Sequence, residues 1–175
     1  MAGAVVSLVA LAGCGGDDGD ARATTTTSTS RPSQTTTTVA DPQQEVLEAY
    51  EAFWDGYLVA ADPMNPEHPV LAEVATGEEL GQLRGAFLAR LSAGEVIRGD
   101  LDLAPEVVEV NGSDAIVRDC YLDRTGIYDA ASGQRKDTES GVRHLVTVRL
   151  VREGEAWKVA SITREGDGCT PGDAS

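Results

Sequence analysis

Positive charge is the scarcest resource in this sequence. Its 175 residues carry 14 Lys and Arg against 29 Asp and Glu, a formal net charge of -15. Lysine is almost missing; Lys136 and Lys158 are the only two. An acidic surface repels phosphate backbones, which argues against nucleic acid as a partner. It also disfavours direct adhesion to anionic lipid headgroups. Histidine is equally sparse. His68 and His144 stand far apart in sequence and no cysteine cluster accompanies them, so the sequence offers no metal-ligand set. No glycine-rich loop of the phosphate-binding kind precedes a helix, and Ser92 and Ser161 lack the context of a nucleophile elbow. No cofactor is expected. The apolar runs are short, and none reaches the length of a membrane-spanning helix.

What is present begins with Ala4 to Ala12, a short apolar run that ends in Leu11-Ala12-Gly13-Cys14. This stretch resembles the lipobox of bacterial lipoproteins. The resemblance implies diacylglyceryl transfer to the Cys14 sulfur, cleavage between Gly13 and Cys14, and acylation of the new terminus. The residues suit that chemistry. Ala12 and Gly13 are small enough for a peptidase to reach the backbone, and the Cys14 thiol is the one nucleophile of the region. Two or three acyl chains anchor stably where one does not. A basic stretch before the apolar run, which secretory signals carry, is lacking in Met1-Ala2-Gly3. The expectation is that the true start lies upstream. The bland alternative is that residues 1–14 are an apolar terminus of a cytosolic protein.

Residues 15–41 read as a linker. Gly15-Gly16-Asp17-Asp18-Gly19-Asp20 is followed by threonine-rich runs at 24–30 and 35–38. Such composition buries too little apolar surface to offset the entropy of ordering. A coil of this length reaches ~30 Å on average. It is either a bare tether or an acceptor for O-linked sugar. With Cys14 assigned to lipid, Cys120 and Cys169 remain. In an oxidising compartment they are expected to pair, the alternative being two buried free thiols.

A domain is expected over 42–169, with residues 170–175 as a frayed tail. Asp41-Pro42 is a helix start, with Gln44 placed for a capping box. Apolar residues at 46/47, 50, 53/54 and 57/58 give one broad buried face. Asp62-Pro63 ends that helix. A short helix is expected from about Pro69 to Ala75. Thr76-Gly77-Glu78-Glu79 reads as a second capping box, opening a helix that buries Leu80, Leu83, Phe87, Leu88 and Leu91 and stops at Gly94. The period then changes to two. Strands are expected over 96–100, 101–110, 115–122, 142–152 and 157–164, with an Asn111-Gly112 hairpin and a long polar loop over 123–140. Helices first and strands after make an α+β domain, its helices on one face of a curved antiparallel sheet.

This order of elements resembles the NTF2-like (SnoaL-like) cone fold, in particular small secreted domains of actinobacteria. The residues carrying the match are the first aromatic helix, Asn111-Gly112 with Val117-Arg118-Asp119-Cys120, and Gly154-Glu155-Ala156-Trp157-Lys158-Val159 before Cys169. The resemblance implies three N-terminal helices against a sheet that curls round the first of them and leaves a pocket. Such a family holds isomerases, dehydratases and non-catalytic binding modules, so fold alone does not assign a function.

Strand parity supplies candidate pocket residues. Val142, His144, Val146, Val148 and Leu150 share one face, and Asp119 shares a face with Val117 and Tyr121. If both faces point inward, Asp119 and His144 meet near Tyr50, Trp54 and Tyr57, and the pair could move a proton. The competing expectation is structural: a satisfied histidine, an aspartate bonded to backbone or arginine, and an aromatic stripe that is core. His68 is expected to be exposed and idle. Two functions follow. One is a lipid-anchored module that binds a small apolar ligand or an envelope protein at the outer face of the cell membrane. The other is an envelope enzyme of isomerase or hydratase type using Asp119 and His144. A homodimer through the sheet is a third arrangement, which a large exposed apolar face would favour.

Overall fold

The computed structural model describes residues 41–138 and 141–172. The Cys14 lipobox, the linker up to residue 40 and the last three residues lie outside them. Helix α1 runs Pro42–Ala61, α2 Pro69–Val74 and α3 Gly77–Ser92. Seven strands follow: β1 Glu95–Arg98, β2 Leu101–Asp102, β3 Pro105–Asn111, β4 Asp114–Asp123, β5 Gly126–Asp129, β6 Val142–Glu153 and β7 Ala156–Asp167. The protein is therefore α+β, with helices packed against an antiparallel sheet.

The Asp41 side chain accepts from the Gln43 N–H at 3.0 Å and caps α1. Gln44 does not complete a capping box, because its amide turns forward to Glu48 at 3.1 Å. The second capping box also fails. Thr76 makes no side-chain cap; its hydroxyl donates to Glu153 at 2.7 Å. Glu79 instead folds inward, and its Oε2 accepts from the Ile162 N–H of β7 at 3.0 Å. Both side chains thus bind helix α3 to the end of the chain, a long-range use that local sequence does not reveal. His68, expected to be idle, caps α2: its Nδ1 accepts from the Val70 N–H at 3.3 Å.

The main sheet runs β2-β4-β6-β7, with β3 also on β4, and β1 pairs separately with β5. Strand β5 is a correction to the long polar loop expected at 123–140. Four residues pair in register with β1, Glu95 against Asp129 through Arg98 against Gly126. The hairpin between β3 and β4 forms as expected. Asn111 faces Asp114 across a two-residue turn, and Gly112 takes φ +62°, a conformation that favours glycine. Pro105 opens β3, an edge strand bonded to β4 on one side and irregular between Val107 and Glu109.

The sheet's inner face and the helices enclose one core. Val46, Tyr50, Phe53 and Trp54 of α1 meet Val117 and Tyr121 of β4, Val146, Val148 and Leu150 of β6, and Trp157 and Val159 of β7. Each such side chain taken from water contributes ~1.5–3 kcal/mol. Leu83 and Phe87 of α3 join this core, whereas Leu88 and Leu91 do not. They are 56% and 46% exposed. Helix α3 is applied to the sheet by its Glu79-Leu83-Phe87 stripe with Leu80 partly buried beside it, and Leu88 and Leu91 fall on its free side. Cys120 and Cys169 are joined by a disulfide. It ties the chain after β7 to the middle of β4, on the strand face opposite Asp119. Closing 49 residues of chain stabilises the fold by about 4 kcal/mol in the chain-entropy model. Among the described residues no helix is long and apolar enough to cross a membrane.

Candidate functional site

Both parity expectations hold. Asp119 and His144 face inward from β4 and β6, and both are buried. They do not pair. In the sheet Asp119 stands opposite Val146, and His144 opposite Tyr121. The two are diagonal neighbours, and each is committed elsewhere. Tyr50 donates from its hydroxyl to Asp119 Oδ2 at 2.8 Å, and the Ala104 N–H donates to Oδ1 at 2.9 Å. Burial raises the Asp119 pKa, while the Tyr50 bond, the Ala104 bond and the charge of Arg143 oppose that rise. Burial likewise pushes the Tyr50 hydroxyl well above its ordinary range, with the Asp119 charge adding to it, so the phenol keeps its proton as a donor. The pair is a sealed clamp between α1, β4 and the backbone at 104.

His144 Nδ1 lies 2.8 Å from Asp167 Oδ1 and 2.6 Å from an Arg164 guanidinium nitrogen. Its Nε2 lies 4.0 Å from Asp123 Oδ2. That side of the ring faces a pocket of about 210 Å³. Tyr57, Arg90, Ile97, Asp123, Asp137 and His144 supply its chemistry. Tyr57 comes from the last turns of α1, Arg90 from the end of α3, and Ile97 from β1. Asp123 ends β4, and Asp137 follows β5. The pocket therefore sits where the open ends of α1, β4 and β6 meet the small β1–β5 sheet, a part of the fold that the missed strand β5 creates.

The carboxylates differ in how they are held. Asp137 receives Arg135 Nε at 2.6 Å and the Ile127 N–H at 3.0 Å. Burial alone would raise its pKa, but those two bonds and the Arg135 charge outweigh it, and the group is held below its ordinary range. Asp123 uses Oδ1 to accept from the Thr125 N–H at 2.7 Å, leaving Oδ2 toward His144. Burial, and then the Asp123 charge, push the Tyr57 hydroxyl up to about 12. Arg90 is spoken for by Glu95 at 2.8 Å, which Lys136 also holds at 2.6 Å.

Of the six expected pocket residues, the structure gathers only Tyr57 and His144 at a cavity. Tyr50, Trp54 and Tyr121 belong to the packed core, and Asp119 is buried against Tyr50. The aromatic stripe is interlocked, edge to face for Tyr50–Trp54 at 6.4 Å and Trp54–Tyr57 at 5.7 Å and tilted for Trp54–Tyr121 at 5.0 Å between ring centres. Asp123, Asp137 and Arg90 are the residues that sequence reasoning missed. The signal available was the polar stretch after β4, which read as loop. Among the described residues no three His, Cys, Asp or Glu side chains gather so as to hold a metal ion. The outer face of the sheet is mixed, with Ile116, Leu122 and Leu145 half-buried beside polar groups. Arg118 and Thr147 both bond Glu165, at 3.0 and 2.5 Å, and Arg149 pairs with Asp114.

No family model matches the chain, and no curated protein matches it. Among solved structures, it is similar to the intermembrane space region of chloroplast protein ARC6. The two share 15% identity at a TM-score of 0.53, over 71% of this chain and 97% of that one. It is also similar to the Kfla4162 protein from Kribbella flavida, at 15% identity and a TM-score of 0.45, over 73% of this chain and 95% of that one. The second likeness is too loose to carry an argument. The first concerns the fold alone, a helical layer on an antiparallel sheet.

Proposed function

We propose that this protein is a lipid-anchored, extracytoplasmic lipoprotein whose NTF2-like domain acts as an interaction module. The observation that carries the non-catalytic part is the fate of Asp119. It is fully buried and bonded to Tyr50 and Ala104, away from any cavity that His144 reaches. An acid or base must reach the group whose proton it moves, and Asp119 reaches only its own scaffold. The filled aromatic core weighs against an apolar ligand, since small-molecule sites are mostly apolar cavities of roughly 300–1,000 Å³. The Cys120–Cys169 bond supports the compartment, because disulfides persist where the surroundings oxidise. The lipobox-like stretch at Cys14 supports the anchor. Exposed Leu88 and Leu91, one turn apart on α3, offer apolar contact to a partner.

The test is made in the producing bacterium, with the full chain and its Cys14→Ala variant. Cells are fed an alkyne fatty acid, and a photo-crosslinking residue replaces Leu88. The expected result is label on the wild-type chain only, membrane fractionation only with Cys14 present, and one discrete protein adduct. An unlabelled wild-type chain refutes the anchor. A labelled chain with no adduct refutes the interaction role.

A further inference from the structure

Helix α3 leaves one flank open to solvent. Leu88 and Leu91 are 56% and 46% exposed there. Helical spacing sets them beside exposed Gly81, Gly85 and Ser92, with half-buried Arg84 along the edge. Glycine inside a helix costs about 1 kcal/mol relative to alanine. Gly85 draws no internal benefit from its missing side chain. A Cβ there would meet nothing within 4 Å, and its φ is not of the left-handed kind. The result is a hollow that opens outward, next to a protruding leucine.

The order of these residues is symmetric about Leu88. Gly85 stands three residues before it and Leu91 three after; Arg84 stands four before it and Ser92 four after. A second α3 running antiparallel, with Leu88 on the two-fold axis, brings Leu88 against Leu88 and Leu91 against the partner's Gly85. Each off-axis pairing then occurs twice, as a contact between identical surfaces requires. The glycine removes the side chain that would otherwise hold the two helix axes apart.

Charge favours the same partner. The chain carries -15 overall, so most of its surface repels a copy of itself. Helix α3 places no carboxylate on this flank. The symmetric placement sets Arg84 against the partner's Ser92, at the C-terminal turn of α3, where the helix macrodipole is negative. Arg90, the basic residue of that turn, is drawn off to Glu95 at 2.8 Å. Arg84 meets Glu67 at 3.6 Å, an exposed pair that holds it weakly.

We propose that this flank of α3 is a homodimer contact, through which two copies pair antiparallel about Leu88. The proposal names the partner of the interaction module described above and rests on that role. A flank of six residues is smaller than the ~800 Å² per partner of a typical stable complex. The dimer is therefore weak in dilute solution, and anchoring in one membrane favours it by raising the local concentration.

The experiment is oxidative cross-linking of the full chain in membranes of the producing bacterium. Leu88→Cys reads the two-fold axis. The references are Ala86→Cys, exposed on the opposite flank of α3, and the chain with no added cysteine. The expected result is a disulfide-linked dimer that forms at least 10-fold faster from Leu88→Cys than from either reference. Gly85→Gln fills the hollow without entering the core, and Arg84→Gln removes the charge. Added to Leu88→Cys, they are expected to slow cross-linking at least 10-fold and several-fold, respectively, while circular dichroism shows both chains folded. Cross-linking no faster than the references, or undiminished in either folded variant, overturns the proposal. The photo-adduct at Leu88 separates this failure from that of the interaction role. An adduct with the mass of two copies supports both. An adduct to a different protein overturns the dimer and leaves the interaction role standing. A chain with no adduct overturns both.

Discussion

Replacing Tyr50 with phenylalanine probes the clamp at the centre of the fold. The ring stays in its place against Trp54, and only the donor to Asp119 is lost. Asp119 is completely buried, so no water reaches the freed Oδ2. Leaving a buried acceptor unsatisfied costs ~1–3 kcal/mol. For a chain of this size each kcal/mol lowers Tm by about 2–4 °C. A drop of roughly 2–12 °C follows from those two figures. The loss should also depend on pH. Burial holds the folded-state pKa of Asp119 above its ordinary value. Such a group favours the folded state below its unfolded pKa, and that contribution is lost as pH rises through the folded pKa. Removing the Tyr50 bond, which lowers the pKa, raises it further. The deficit of Tyr50→Phe is therefore smallest near about pH 4 and grows toward neutrality, because the unfolded carboxyl titrates near that lower value. Scanning calorimetry with the disulfide intact, at several pH values, reads both effects. Adding Asp119→Asn to Tyr50→Phe should abolish the pH dependence of the deficit. A deficit below about 1 °C, or one equal at every pH, would refute the account of the clamp, since it lies under the smallest cost expected of an orphaned buried acceptor.

Other perturbations follow from the same contacts. Reducing the Cys120–Cys169 bond, or replacing both cysteines with serine, should destabilise the domain by up to about 4 kcal/mol, read by urea unfolding with and without reductant. Glu79→Ala strips the Ile162 N–H of its acceptor and should cost ~1–3 kcal/mol, whereas Glu79→Gln keeps an acceptor oxygen and should cost far less. Gly99→Ala should be among the most damaging single methyl additions. Gly99 has φ +133°, and a Cβ there would lie 2.5 Å from the Arg124 carbonyl oxygen, so circular dichroism melts should show a loss of several degrees.

The helical half was legible because its signals are local. Proline and aspartate mark the start of α1, Asp62-Pro63 its end, and Gly94 the end of α3. The inward faces of β4 and β6 were equally plain, since alternation over a long strand leaves one consistent choice. Strand β5 was not legible. Gly126-Ile127-Tyr128-Asp129 is too short to show a period, and it becomes a strand only by pairing with β1, about thirty residues earlier. The site followed the same division. His144 was found because a histidine on an apolar face stands out. Its partners Asp123 and Asp167 were not, because they lie at strand ends whose register depends on the whole sheet. Asp119 was misplaced by a single step of the same kind. Its face was right, but Tyr50, 69 residues away, takes its oxygen before His144 can. The failed capping box at Thr76 is a further case of a long-range partner displacing a local one.

The lipid anchor at Cys14 is the central proposal for this protein. Mass spectrometry of the protein purified natively from membranes reads that directly. The predicted result is an N-terminal peptide that begins at Cys14 and carries acyl chains, together with a Cys120–Cys169 cross-linked peptide and no free thiol. An unacylated Cys14 in protein recovered from intact membranes would contradict it.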